Sequence, residues 1–188
     1  MSTVPQASLA YITESEYLEG EKISPERHEY VAGQVYLMAG SSKRHNRIAR
    51  SFINGLANAA SEKNCEIYFS DIKVKIEKYQ SYYYPDVVIS CDDNDDEYYL
   101  TNPCIIIEVA SDSTIRKDYL EKSLAYQSIP SLQAYLIVAQ DKIQIDMLIR
   151  DENNEWQLKK LDKAEEQVYF PCLNASLNLA KIYNQVME

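Results

Sequence analysis

Alternation of apolar and polar residues predicts several short strands in the first half of the chain, arranged around one long amphipathic helix. Residues 29–31 and 34–38 alternate on either side of a two-residue turn, which predicts a hairpin. Residues 42–63 instead repeat their apolar side chains at helical spacing. Three further alternating runs predict a β-meander, at 66–69, 72–76 and 82–89. This mixture of strands and helices is typical of an α/β domain.

Two apolar strands in the middle of the chain carry one carboxylate each. Residues 84–89 contain Asp86 directly after Pro85, and residues 103–109 contain Glu108 near their end. A carboxylate among β-branched residues is costly to bury unless a cation or a hydrogen-bond donor compensates it. If the two strands are neighbours, both carboxylates lie at one end of a sheet. Mg²⁺ is the metal ion that best fits such a site, because it is usually held by one or two carboxylates.

The segment after the second strand predicts a helix with a charged face. Residues 115–126 place apolar side chains on or beside one stripe. Asp118, Lys122 and Tyr126 recur at every fourth position, so they share one face of this helix. We expect that face to point back toward the two carboxylates, with Lys122 supplying a cation.

The last third of the chain predicts a strand, a late hairpin and a closing helix. The strand spans 132–139, the hairpin pairs 143–149 with 156–161, and the short helix covers 174–187. We therefore predict a single α/β domain over residues 1–188, with its core at about 13–150. Its mixed central sheet of about five strands is flanked by helices and carries a peripheral β-hairpin.

An ordered set of residues, spread over most of the chain, resembles a known family. These residues are Asp86 after proline, Glu108 inside its apolar strand, the run 108–114, Asp118, Lys122, the N-terminal run 27–40, and His45. The set resembles the PD-(D/E)XK nuclease superfamily, and it is closest to a restriction-endonuclease-like branch long catalogued as a domain of unknown function. In that branch the catalytic lysine has migrated from the strand to the following helix. Ala110 stands at the usual lysine position, so the chemistry depends on Lys122. Asp112 stands where this branch often has proline, which changes the local turn.

The resemblance implies a restriction-endonuclease-like fold and Mg²⁺-dependent hydrolysis of DNA phosphodiester bonds, with Mn²⁺ as an alternative ion. It implies that Asp86 and Glu108, together with the carbonyl of Val109, bind the metal ion. Lys122 would orient the attacking water or neutralise the developing charge. Glu29 would complete the acidic cluster as a further catalytic residue.

Substrate binding is assigned to basic residues and a histidine in the first two turns of the long predicted helix. Free N–H groups at a helix start also attract phosphate. These residues are Lys43, Arg44, His45 and Arg47. Asp118, which shares a helix face with Lys122, is also assigned to substrate binding.

The overall charge of the chain argues against indiscriminate nucleic-acid binding. The net charge is −10 and the pI is about 4.8, whereas non-specific affinity for nucleic acid comes mainly from lysine and arginine. The charge is uneven, because residues 41–80 contain eight basic side chains and four acidic ones. This basic strip could bind a phosphate backbone, although solvated charges on a helix face and an edge strand explain it equally well.

Two alternatives to an endonuclease stay open. The first is a nuclease-derived binding or assembly module that no longer cuts, which the acidic composition favours and the intact acids and lysine oppose. The second is a core of unrelated function, in which Lys122 forms a purely structural ion pair with Asp118 or Glu108.

The four cysteines are widely spaced and include no Cys-x-x-Cys pair, so we predict reduced thiols and a cytoplasmic protein. No segment has the apolar length that a membrane span needs, and we expect no membrane partner. DNA is the expected partner, and the expected assembly is a homodimer.

Overall fold

The computed structural model describes residues 11–92, 96–110, 118–184 and 186, and it has an α/β fold. The helices are α1 (Glu14–Ile23), α2 (Lys43–Glu62), α3 (Ser123–Tyr126) and α4 (Leu179–Tyr183), with a π-helical turn at Asp118–Lys122 that leads directly into α3. The strands are β1 (His28–Val31), β2 (Gln34–Leu37), β3 (Glu66–Phe69), β4 (Lys73–Ile76), β5 (Ser81–Tyr83), β6 (Val87–Ser90), β7 (Tyr99–Leu100), β8 (Ile105–Ala110), β9 (Ala134–Ala139), β10 (Ile145–Arg150), β11 (Trp156–Leu161), β12 (Gln167–Phe170) and β13 (Ala175–Asn178). Short 3-10 turns occupy Glu77–Tyr79 and Pro171–Leu173. The predicted fold class is confirmed.

The central sheet is mixed, and its strand order is β11-β10-β9-β8-β6-β3. Strand β8 pairs in parallel with β9 and antiparallel with β6. Every residue of β8 is buried, because both faces of the sheet are covered. This explains why its sequence is continuously apolar except at Glu108. The predicted late hairpin forms β10 and β11, and it extends the sheet through β9.

Pro85 divides a segment that alternation predicts to be one strand. The prediction of a continuous strand over 82–89 is wrong, and so is the predicted meander. Strand β5 lies in a second sheet of order β2-β1-β5-β4-β7, whereas β6 pairs with β3 in the central sheet. Pro85 lacks the N–H that a ladder needs, and its ring restricts Tyr84 before it. The chain therefore passes between the two sheets here and places Asp86 at one end of the central sheet.

Helices cover both faces of the central sheet. Side chains along β6 and β8 point alternately to the two faces of the sheet. Val87 and Ile107 pack in the cluster that contains Phe52 of α2. Val88 and Ile106 pack in the cluster on the other face, which contains Ala125 and Tyr126 of α3. In the described ranges, no helix is both long enough and apolar enough to cross a membrane.

The predicted N-terminal hairpin is confirmed by β1 and β2. Its turn residues, Ala32 and Gly33, have φ angles of 45° and 91°. Such left-handed backbone is what a tight two-residue hairpin turn requires. Strand β1 also pairs with β5, so it carries Glu29 toward the junction between the two sheets.

The end of the chain differs from its prediction. A helix over 174–187 is wrong in its first part, because β13 pairs antiparallel with β12 and the helix α4 spans only Leu179–Tyr183. The residues of β13 bury Leu177 between more exposed neighbours. This strand-like alternation determines the structure there, and Asn178 then caps the short helix through the N–H of Ala180.

The prediction of reduced thiols is wrong, because the four cysteines form two disulfide bonds. Cys65 is bonded to Cys91, and Cys104 is bonded to Cys172. Spacing along the chain could not reveal these pairs, because the folded sheet creates them. The antiparallel register of β3 and β6 ends at Glu66 and Ser90, so it sets Cys65 opposite Cys91.

Candidate active site

Asp86 lies at the junction between the two sheets, where two neighbouring groups hold its carboxylate. The register of β6 and β8 sets Asp86 one position beyond the last pair of the ladder, beside Glu108. Its Oδ2 accepts a hydrogen bond from the backbone N–H of Val109 at 2.7 Å, and its Oδ1 lies 2.8 Å from Nε2 of His45. The side chain is 20% exposed. The carboxylate is therefore fixed in orientation but reachable from solvent.

Lys122 bridges two buried carboxylates that come from different sheets. Its Nζ lies 2.9 Å from Oε1 of Glu108 on β8 and 2.9 Å from Oε1 of Glu29 on β1. The three side chains are between 6% and 8% exposed. Nζ also lies 5.5 Å from the centroid of the Tyr83 ring. Because an unpaired charge costs several kcal/mol to bury, these three charged groups depend on one another.

Tyr126 belongs to this cluster, although the sequence analysis assigned it no role. Its hydroxyl donates a hydrogen bond to Oε1 of Glu108 at 3.0 Å. Complete burial, followed by the charge of Glu108, raises the pKa of Tyr126 well above its ordinary value. The phenol therefore stays protonated and remains a donor. The signal that could have revealed it was its position one helical turn after Lys122.

A cleft of about 890 Å³ opens beside Asp86, along the first half of α2. Its basic lining comes from Lys43, Arg47 and Arg50, and Phe69 adds an apolar wall. Arg50 was part of the basic strip in the sequence but was not assigned to the site. A polyanion lying in this cleft would pass next to the Asp86 carboxylate.

The structure brings together most of the residues that the sequence predicted for the site. Those it places at the sheet junction or in the cleft are Asp86, Glu108, Val109, Lys122, Glu29, His45, Lys43 and Arg47. Arg44 is exposed and does not line the cleft. Asp118 begins the π-helical turn, but its side chain lies outside the described part of the chain, as do residues 111–117.

The donors at this end of the sheet fit a hard divalent cation. Asp86 and Glu108 offer carboxylate oxygens, and the N–H of Val109 points at Asp86. In an extended strand a residue directs its N–H and its C=O to the same side, so we expect the Val109 carbonyl to face Asp86 as well. Among the described residues, a compact group of three or more metal-ligating side chains is found only for cysteines. The site would therefore supply two carboxylates and a carbonyl, a set that suits Mg²⁺ with water and phosphate completing its coordination.

Comparison with known proteins gives consistent similarities. Residues 14–180 match the family model "Uma2: Putative restriction endonuclease". "Uncharacterized protein slr1290" of Synechocystis sp. (strain ATCC 27184 / PCC 6803 / Kazusa) is 33% identical over 181 residues, 95% of each chain. "Uncharacterized protein sll1609" of the same strain is 29% identical over 168 residues, 87% of this chain and 95% of that protein. The fold is similar to the crystal structure of "a putative nuclease belonging to DUF820" from Anabaena variabilis. That similarity has a TM-score of 0.70 at 14% identity and covers 94% of this chain and 99% of that one.

Proposed function

Because the chain belongs to the Uma2 family, and the predicted restriction-endonuclease-like resemblance is thereby confirmed, we propose that it is a Mg²⁺-dependent endonuclease that hydrolyses DNA phosphodiester bonds. The observation that carries the proposal is the convergence of two acids and a lysine beside a basic cleft. Strand register sets Asp86 beside Glu108, Glu108 contacts Lys122, and the cleft along α2 reaches Asp86. The proposed metal ligands, the proposed catalytic cation and the proposed phosphate-binding surface would therefore be neighbours.

Substrate binding would use the first half of α2. Lys43, Arg47 and Arg50 line the cleft, and each can neutralise one phosphate of a DNA backbone. The cleft is much more basic than the chain as a whole, whose net charge is −10. This local concentration of positive charge allows an acidic protein to bind a polyanion at one surface.

Metal binding would use Asp86, Glu108 and the carbonyl of Val109. Bound there, Mg²⁺ would polarise the scissile phosphate, lower the pKa of the attacking water and stabilise charge on the leaving oxygen. The protein's own part is to hold the ligands in place. His45 and the Val109 N–H orient Asp86, and the Tyr126 hydroxyl orients Glu108.

Lys122 would place a fixed positive charge beside the scissile phosphate. Its ammonium group would donate a hydrogen bond to the attacking water or to the phosphoryl oxygen on which negative charge develops. Glu29 contacts the ammonium from the other side at 2.9 Å. Glu29 would therefore act through Lys122 as a positioning residue, because its contact fixes where that charge lies.

The alternative function is a nuclease-fold module that binds or assembles and no longer cuts. The acidic net charge of −10 favours it.

The homodimer and the cytoplasmic location expected from the sequence also stay predictions. Light scattering of the purified protein tests the first of these, since a homodimer doubles the chain mass of 21.7 kDa.

The test of the function is cleavage of a supercoiled plasmid by the purified protein in Mg²⁺, in Mn²⁺ and in a chelator. We expect nicked and linear products with either metal ion and none with the chelator. A single-stranded RNA of similar length, incubated in parallel, tests the preference for DNA. Retained binding of the plasmid without any cleavage would contradict the endonuclease and favour the binding module.

A further inference from the structure

All four cysteines of the chain meet at one place, although 107 positions separate the first from the last. Cys65 precedes β3, Cys91 follows β6, Cys104 precedes β8, and Cys172 lies in the 3-10 turn after β12. The two bonded pairs, Cys65 with Cys91 and Cys104 with Cys172, also contact each other. The Sγ atoms of Cys91 and Cys104 are 3.6 Å apart. The sulfur atoms of Cys91, Cys104 and Cys172 thus form a compact group, and Cys65 joins it through its bond to Cys91.

This cysteine cluster is separate from the candidate active site. Asp86 precedes β6 and Cys91 follows it, while Cys104 precedes β8 and Glu108 lies toward its other end. At about 3.3 Å of rise per residue, five residues of strand separate the two sites by roughly 16 Å. The cluster therefore sits at the opposite end of the same two strands, and the candidate active site gives no reason for it.

We propose that the four cysteines, in their reduced form, bind one Zn²⁺ ion through four thiolates. Four cysteines are a common ligand set of structural zinc, and no other ligand is then needed. With Zn–S bonds of about 2.3 Å, tetrahedral geometry separates the sulfur atoms by about 3.8 Å. The 3.6 Å between Cys91 and Cys104 is close to one such edge. The sulfur atoms of Cys91, Cys104 and Cys172 also lie within 4.8 Å of one another, which is compact enough for a shared ion.

The bonded pairs and the zinc site are two states of the same sulfur atoms. Reduction of both disulfides takes two electrons and two protons each, and a dithiol or phosphine reductant supplies the electrons. Binding of Zn²⁺ to the four thiols then releases as many as four protons and changes no oxidation state.

Burial and chain position suit a structural ion. Cys65 and Cys104 are each 6% exposed, whereas Cys91 is exposed and provides a path of entry. The ion would join the ends of β3, β6 and β8 to the turn between β12 and β13. It would therefore fix the C-terminal hairpin to the central sheet, independently of any nuclease activity.

The test uses the full chain, reduced with a phosphine, freed of metal with a chelator and titrated with Co²⁺ and then Zn²⁺. We expect the thiolate-to-cobalt charge-transfer absorption of a tetrathiolate site to saturate with one Co²⁺ per chain, and one Zn²⁺ to displace that ion. Cys91→Ser should lower Zn²⁺ affinity by at least about 100-fold, since loss of a ligand exceeds the loss from an outer-shell partner. Cys91 is exposed, so this variant should fold, and Cys172→Ser provides a second, partly exposed position.

Asp86→Asn, at a partly exposed position, separates this site from metal binding at the candidate active site, and it should keep the thiolate absorption unchanged. The proposal is overturned if the reduced chain gives no thiolate-to-cobalt absorption. It is also overturned if the absorption and the Zn²⁺ affinity are the same in both cysteine variants as in the unmodified chain. Disulfides that stay intact in the folded protein under the reductant would contradict it too, and would make the cluster a purely covalent staple.

Discussion

Replacement of Lys122 by methionine should lower both the stability of the fold and the rate of cleavage. Lys122 lies 2.9 Å from Glu29 and 2.9 Å from Glu108, and its side chain is 7% exposed. Methionine keeps most of the apolar stem, so lost packing is small. The cation is lost, however, and two buried carboxylates stay behind. Removal of one partner from a buried ion pair costs about 3–5 kcal/mol of unfolding free energy. We expect about 3 kcal/mol, since Tyr126 still donates to Glu108.

Urea unfolding at neutral pH measures this change, provided that the slope with denaturant is the same in both proteins. Lys159→Met is the matched control, because Lys159 is exposed on β11, and it should change the unfolding free energy by less than about 0.5 kcal/mol. The double variant Lys122→Met with Glu29→Gln should be more stable than the two single effects predict. Removal of one carboxylate relieves the other, which gives a coupling energy of about 1–3 kcal/mol.

The pH dependence has a definite sign. Without the cation, the folded Lys122→Met variant should bind a proton at one of its buried carboxylates more readily than the unfolded chain does. Its stability should therefore rise relative to the unmodified protein as the pH falls, and the deficit should be largest at neutral pH. Cleavage, measured below the unfolding transition, should fall by about two to four orders of magnitude. A stability loss below about 1 kcal/mol would refute the buried bridge, and full activity would refute the catalytic role of this lysine.

Two other changes test the surroundings of the site. Tyr126→Phe removes the hydrogen bond to Glu108, so the Mg²⁺ concentration for half-maximal cleavage should rise by about 10- to 100-fold; an unchanged Mg²⁺ requirement would remove Tyr126 from the site. Arg47→Ala should flatten the log–log dependence of DNA affinity on salt by about 0.9, as expected for one lost phosphate contact. Lys159→Ala should leave that slope unchanged, and Arg44→Ala, measured beside it, shows whether the exposed face of α2 also contacts DNA.

Local sequence patterns predicted much of the fold, because residues close together in the chain determine where several of its strands, turns and helices form. The hairpin at Ala32 and Gly33 follows from a turn signal and alternation, and α2 follows from its apolar stripe. Alternation failed at Pro85, where it continues across a change of sheet. A periodic pattern indicates which side chains are buried, but it does not indicate which sheet they belong to.

The site was predicted only in part, because helical spacing determines some of its contacts and the packing of the sheets determines the others. The spacing of Asp118, Lys122 and Tyr126 put the lysine on the face that contacts Glu108, and the structure has that contact. The second contact of Lys122, with Glu29, joins residues far apart in the chain and arises from the packing of two sheets. The cysteine cluster escaped prediction for the same reason, since strand register sets Cys65 opposite Cys91 and tertiary packing brings Cys172 to Cys104.

The most direct test of the central claim is a single-turnover cleavage rate on labelled duplex DNA at saturating Mg²⁺. Unmodified protein, Asp86→Asn and the surface control Asp162→Asn would be compared at equal folded concentrations. Asparagine keeps the shape of the Asp86 side chain but removes the charge that would hold the metal ion. The account predicts cleavage by the unmodified protein and by Asp162→Asn at equal rates, and a rate lower by at least about two orders of magnitude for Asp86→Asn. Equal cleavage by all three proteins would contradict the assignment of this site.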